Sequence, residues 1–171
     1  MTPEQARASE AIRQTQALCA TAGDRGRVEQ MLDAYTDDGE LELHTGVFRG
    51  KAAIGGALGQ VVDDASGAGA PPGARYFLRH HLTTSHIEFA AGDTANVRTY
   101  FLVMTPAGLD HCGVYTDRFV ARGERWLIAY RRVRIDWMSP ASHFSDLQRS
   151  DQPGTTQTRH SASNASSSHQ G

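Results

Sequence analysis

The segment RYFLRHHLTTSHIEF, Arg75 to Phe89, carries three histidines, His80, His81 and His86, in a run otherwise patterned as a β-strand. Imidazole is the side chain that changes charge near neutral pH without help from its surroundings. A strand that delivers it to the wall of a dry pocket supplies a general base for carbon acids and leaving hydroxyls. Neighbouring side chains of a strand diverge, so of the consecutive pair His80 and His81 only one can face a pocket, and His86, one residue before Ile87, is read as facing solvent. A second stretch, DHCGVYTDRF, puts His111, Gly113, Tyr115 and Asp117 on one face by period two. A phenol at Tyr115 can hold a substrate carbonyl and stabilise an enolate as it forms. A buried carboxylate needs a partner, so Asp117 either orients a histidine or pairs with an arginine of the last strand. The candidate catalytic groups are His80, Tyr115 and Asp117. Tyr35, His44, His81, His111 and Arg132 are candidate substrate contacts.

These residues need a frame. TPEQARASEAIRQTQALCATA opens with Thr2 as N-cap and Pro3 at the first helical position, and Ile12, Leu18 and Cys19 recur at roughly helical spacing. Gly23 ends that helix. Asp24 then reads as the cap of a second helix, RGRVEQMLDAY, with Val28, Met31, Leu32 and Tyr35 on one face. TDDGE reads as a turn, LELHTGVF as a short strand, and GKAAIGGALGQVVDD as a third helix weakened by its glycines. Beyond the Gly-, Ala- and Pro-rich loop ASGAGAPPGA the period changes to two. Four strand-like runs follow, Arg75–Ala90, Thr94–Met104, His111–Ala121 and Arg125–Trp137. Their connectors, AGD, TPAGLD and RGE, are too short for parallel crossovers. The pattern predicts an α+β fold, with a curved antiparallel β-sheet wrapped around N-terminal helices and enclosing one pocket. The domain is expected over residues 1–145. The polar segment 146–171 is expected to be a disordered tail, since it has too little apolar surface to order itself.

Composition narrows the partners. The chain has 171 residues, 39% hydrophobic and 21% charged, with a formal net charge of −2. Its one basic run, YRRVRIDW, alternates with apolar residues, so no clustered face for nucleic acid is expected. No apolar run approaches the ~18 residues of a membrane helix, and the N-terminus is polar and carries acid, unlike a secretory signal. A soluble, cytoplasmic protein is expected. Cys19 and Cys112 lie far apart without metal-ligand spacing and read as free thiols.

Three stretches carry a resemblance: YTDDGELELHTGVFRGKAAI, RHHLTTSHIEFAAGDTANVRTYFLVM and GVYTDRFVARGERWLIAYRRVRIDW. Their order and spacing over roughly residues 5 to 140 resemble the SnoaL-like group of the nuclear transport factor two-like superfamily. The resemblance implies a cone-shaped α+β fold with an apolar pocket at one end, as in scytalone dehydratase-like and polyketide cyclase-like proteins. It implies acid–base chemistry without metal or organic cofactor on a small apolar polyketide- or steroid-like molecule, by dehydration, isomerisation or cyclisation, and a homodimer. It also allows a non-catalytic binding domain, or a small subunit like the β-subunit of ring-hydroxylating dioxygenases. By resemblance His80 falls where related dehydratases keep their pocket histidine, and Tyr115 near the place of a pocket amide in scytalone dehydratase-like enzymes. The chain also departs from the pattern. Ala20 and Thr21 stand near the Tyr-Asp pair of the dehydratases, and Val103 to Thr105 near their second acid–base residue. Leu43 occupies the position of the steroid isomerase base, beside His44. Tyr100 replaces an aspartate that follows the epoxide hydrolase arginine, leaving Arg98 as a sheet-surface residue.

Overall fold

The computed structural model of the chain describes residues 1–66, 77–142 and 144, with side chains of 64–66 excepted. Most of the ASGAGAPPGA loop and the expected tail lie outside the described residues. Helix α1, Pro3–Gly23, starts as its sequence predicts. Thr2 Oγ1 accepts from the backbone N–H of Gln5, and Gln5 Oε1 accepts from that of Thr2. Its buried stripe is Ser9, Ile12, Thr15, Gln16, Cys19 and Ala22. Leu18, expected on that stripe, is exposed instead. Polar anchors hold the helix down: Thr15 Oγ1 donates to the Trp126 carbonyl at 2.6 Å, and Gln16 Nε2 donates to Thr99 Oγ1 at 2.8 Å.

The second helix is shorter than its pattern suggests. It covers only Val28–Leu32 (α2), and its N-cap is Arg27 with no side-chain cap. Tyr35 already belongs to β1, Tyr35–Leu43, so the stretch read as a turn, TDDGE, is extended chain. That chain is irregular: Tyr35 pairs with Ile128 and Glu40 with Tyr130, so five positions of β1 span two steps of its neighbour. The turn residues fill a bulge rather than a hairpin. A true hairpin follows to β2, Gly46–Arg49, and then α3 runs over Gly50–Ser66 as expected.

The last four strands form the predicted meander: β3 Arg79–Ala90, β4 Thr94–Thr105, β5 Gly108–Arg122 and β6 Arg125–Met138. The six strands make one curved, open sheet in the order β2-β1-β6-β5-β4-β3, antiparallel except for the parallel pair β1 and β6. The α+β class is therefore as expected. The helices cover one face. Ile12, Leu32, Tyr35, Leu41, Ile54, Phe119 and Ile128 close one end into a solid core. At the other end Leu78, Phe101, Val103, Met138 and Phe144 form a smaller cluster, and the candidate site is built there.

Candidate acid–base site

His80 lies on the helix-covered face of β3 because that strand is bulged. Pairing slips between Leu82 and Ser85, and the inward positions change from His80 and Leu82 to Ser85, Ile87 and Phe89. In a regular strand His80 and His86 would share a face. Here His80 turns inward, half-buried, while His86 is exposed beside Glu88. His81 is exposed on the opposite face of β3.

The partner of His80 is Asp24. One carboxylate oxygen, Oδ1, accepts from the backbone N–H of His80 at 2.9 Å and lies 2.8 Å from its Nδ1. Nδ1 must carry the proton to donate there, which leaves the lone pair on Nε2. The Asp24 side chain is 8% exposed and that of His80 22%. Sequence reading missed this residue by treating it as the cap of α2. Asp24 is instead the C-cap of α1, its N–H bonded to the Ala20 carbonyl. The signal was present: an acid at a helix C-terminus faces the negative end of the helix dipole, an unfavourable place for a mere cap.

Tyr115 lies on the same side of the sheet. Its ring stacks on Phe101 at 4.3 Å between centroids and 15° between planes. The His80 ring is 6.5 Å from the same Phe101 ring. The Arg131 guanidinium lies 4.3 Å from the Tyr115 centroid, where cation and ring quadrupole attract. Burial pushes the Tyr115 hydroxyl well above the usual phenol range; the Arg131 charge only partly opposes this. Tyr115 is therefore a neutral hydrogen-bond donor throughout the physiological range.

Asp117 is fully buried and grips Arg131 with both oxygens, Nε to Oδ1 at 2.8 Å and Nη2 to Oδ2 at 2.7 Å. Burial alone would weaken the Arg131 charge, but the Asp117 carboxylate outweighs it. Asp117 thus pairs with an arginine of the last strand, as one of the two expectations held, but the arginine is Arg131. The choice of Arg132 needs correction. Its side chain is 57% exposed on the outer face, 3.2 Å from Glu42. The cause is an extra residue, Ala129: Phe119 pairs with Ile128 but Arg118 with Tyr130, which shifts the inward series from even to odd numbers.

Of the remaining candidates, His111 borders the same Phe101 ring as His80 and Tyr115. Tyr35 is 1% exposed inside the main core, and burial raises its hydroxyl far above the usual range. His44 occupies the turn between β1 and β2, at the opposite edge of the sheet from β3. His111 is buried within the smaller cluster, its ring 6.0 Å from Phe101 and 5.2 Å from Phe144. Both cysteines are free, and burial raises the Cys19 thiol. Among the described residues no three metal-binding side chains cluster, and no helix is long and apolar enough to cross a membrane.

Solved structures share this architecture. Rv3472 of Mycobacterium tuberculosis, a protein of unknown function, is 28% identical with a TM-score of 0.64, over 81% of this chain and 78% of that one. A putative scytalone dehydratase from Novosphingobium aromaticivorans is 19% identical with a TM-score of 0.66, over 81% and 91% of the two chains. ActVI-ORFA from Streptomyces coelicolor is 16% identical with a TM-score of 0.62, over 75% and 97%. The last two likenesses are of fold. No curated protein matches the chain. The SnoaL-like domain model matches residues 4–132, and by that match the chain belongs to the SnoaL-like family.

Proposed function

We propose that the chain is a cofactor-independent acid–base enzyme, a dehydratase, isomerase or cyclase, acting on a small apolar carbonyl compound of polyketide or steroid type. The observation that carries this reading is the Asp24–His80 pair. A carboxylate that fixes Nδ1–H aims a basic Nε2 away from itself and stabilises the imidazolium that forms when a proton is taken. Tyr115 serves as the donor to the developing enolate oxygen, with Arg131 and Asp117 holding its ring in place. Acid–base assistance of this kind contributes ~10²–10⁴-fold, enough for an activated α-proton. Putative scytalone dehydratase, as the name of one structural neighbour, agrees with this class of reaction. The reading includes a cytoplasmic homodimer joined through the outer face of the sheet.

The test is deuterium exchange into the α-position of 2-tetralone and related aryl ketones in D2O, followed by proton NMR. Wild type is expected to accelerate exchange, with His80→Ala losing ~10²-fold or more, and Asp24→Asn and Tyr115→Phe losing ~10-fold or more. Exchange no faster than with free imidazole at the same concentration would sink the enzyme reading. It would leave the alternative, a non-catalytic small-molecule-binding domain or the small subunit of a larger assembly. The observation favouring that alternative is that Val103 to Thr105, opposite His80 on β4, carries no titratable group.

A further inference from the structure

His80 is not the sole imidazole with a built-in carboxylate. On β5 the residues Asp110 and His111 are consecutive, yet both side chains are buried, at 3% and 8% exposure. Consecutive strand residues ordinarily point to opposite faces. Asp110 escapes this because it is the extra residue of a bulge: Val103 pairs with His111 and Met104 with Leu109, leaving Asp110 unpaired in the register. The bulge folds the carboxylate back onto its own neighbour. Asp110 Oδ2 lies 2.7 Å from His111 Nδ1 and accepts from Ser142 Oγ at 2.7 Å. The Asp110 carbonyl accepts from the Ser139 N–H, and the Ser142 hydroxyl accepts from the Phe144 N–H. The segment after β6 is thus tied down around this pair.

The arrangement settles the state of the ring. Nδ1 donates to the carboxylate, so in the neutral ring Nε2 is an acceptor. Burial lowers the His111 pKa; the hydrogen bond and charge of Asp110 work against this without cancelling it, and the charge of His80 adds to the lowering. Asp110 and His80 are thus the titratable groups acting on it. No hydrogen bond from Nε2 to a described residue is seen, and Nε2 is not among the fully buried atoms left without a partner. An imidazole held this way by Asp110, in a side chain only 8% exposed, presents Nε2 as an acceptor suited to a hydroxyl donor.

We propose that His111, held by Asp110 and Ser142, is a second proton-accepting contact of the same site and receives a hydroxyl of the substrate. Resting on the acid–base reading above, this narrows the substrate to hydroxylated carbonyl compounds, phenols or enols, whose ring lies near Phe101. That ring borders both imidazoles, at 6.5 Å from His80 and 6.0 Å from His111. His80 would face the carbon acid and His111 the hydroxyl. Asp110 and Ser142 are positioning residues that act through His111.

The probes are 2-naphthol and its methyl ether, 2-methoxynaphthalene, which has no donor. Protein labelled with 15N-histidine reports on each imidazole nitrogen. On addition of 2-naphthol the His111 Nε2 signal should move upfield, and the ether should leave it in place. 2-Naphthol should bind ~10-fold more tightly than the ether, as one hydrogen bond to a buried acceptor allows. That preference should vanish in His111→Phe and persist in His80→Ala. Asp110→Asn should switch His111 to the Nε2–H tautomer, visible in the 15N pattern, and abolish the preference, whereas a merely structural Asp110 would leave the tautomer unchanged. The wild-type spectrum decides the matter even if a variant fails to fold. An unmoved His111 Nε2, or an equal response to the ether, overturns the proposal. If the His80 signal moves instead and the preference survives in His111→Phe, the hydroxyl belongs to His80. The base reading, tested by deuterium exchange, is untouched by that outcome. Absence of binding by either probe also counts against this proposal, and the exchange experiment still decides the other.

Discussion

Two carboxylates of this chain, Asp24 and Asp117, hold the candidate site in different ways. Asp24 is tied to a half-buried imidazole that can change protonation state. Asp117 is locked with both oxygens on a guanidinium that cannot. The second pair is a packing device: it neutralises a buried cation and keeps Arg131 flat against Tyr115. Asp117→Asn leaves that cation buried without a counter-charge and is expected to cost about 3–5 kcal/mol of stability in urea titrations. The double change Asp117→Leu with Arg131→Met should be distinctly milder, because it removes both charges together. A single substitution as harmless as the double one would show that water reaches Arg131. On the proposed reading Asp117 acts through the Tyr115 ring and not as an acid or base.

At the scale of elements, bulges place the site. Extra residues in β3, at Asp110 in β5 and at Ala129 in β6 each change which parity faces the helices. They bring His80, His111 and Arg131 to one side. The β5–β6 pair shows how closely these strands approach. A Cβ on Gly113 would stand 2.0 Å from the Arg134 carbonyl oxygen, which is backbone and cannot move aside cheaply. Gly113→Ala should therefore destabilise the protein by about 3 kcal/mol or displace the His111 end of β5. The contrast is Gly56, on α3 with open space around its Cβ. Gly56→Ala should raise stability by ~0.5–1 kcal/mol through helix propensity. Chemical denaturation of both variants compares them directly, and an unperturbed Gly113→Ala would mean that the strands can separate there.

The whole molecule has a second face. Away from the helices, the sheet carries a groove of about 670 Å³ bordered by Glu40, Glu88, Arg98, Arg118 and Tyr130. Tyr100 on the same side is 45% exposed. Acidic side chains stand on β1 and β3, towards the two edges, with arginines on β4 and β5 between them. The proposed homodimer would join two copies through this face, offset so that the arginines of one meet the acids of the other. The proposed homodimer predicts a dimer mass in sedimentation velocity and dissociation by the paired change Arg98→Glu and Arg118→Glu. The double variant should keep the interior site, so His80-dependent exchange should survive in the monomer. A wild-type monomer at micromolar concentration would rule out this interface.

Much of the frame was legible in the sequence. Thr2 and Pro3 mark the start of α1, and the glycine-weakened pattern of α3 and the short connectors of the meander specify antiparallel neighbours. Such signals are local: they depend on a few adjacent residues and on a period. His80 and Tyr115 are reactive types on strand patterns, and it was the family resemblance that singled them out. Three things needed the tertiary structure. Asp24 and His80 are 56 positions apart, and no local pattern couples a helix end to a distant strand. The TDDGE segment is extended because β6 pairs with Tyr35 before it and with Glu40 at its end, which holds the intervening residues in a bulge, and no local pattern announces that. Arg131 rather than Arg132 faces inward because of one residue inserted in the pairing of β6 with β5. A period of two is a property of regular strands, and one bulge inverts it for every residue that follows. The sequence determined the four strands of the meander, while the β1–β2 hairpin and the register between strands, which decides which side chains meet, came only with the tertiary structure.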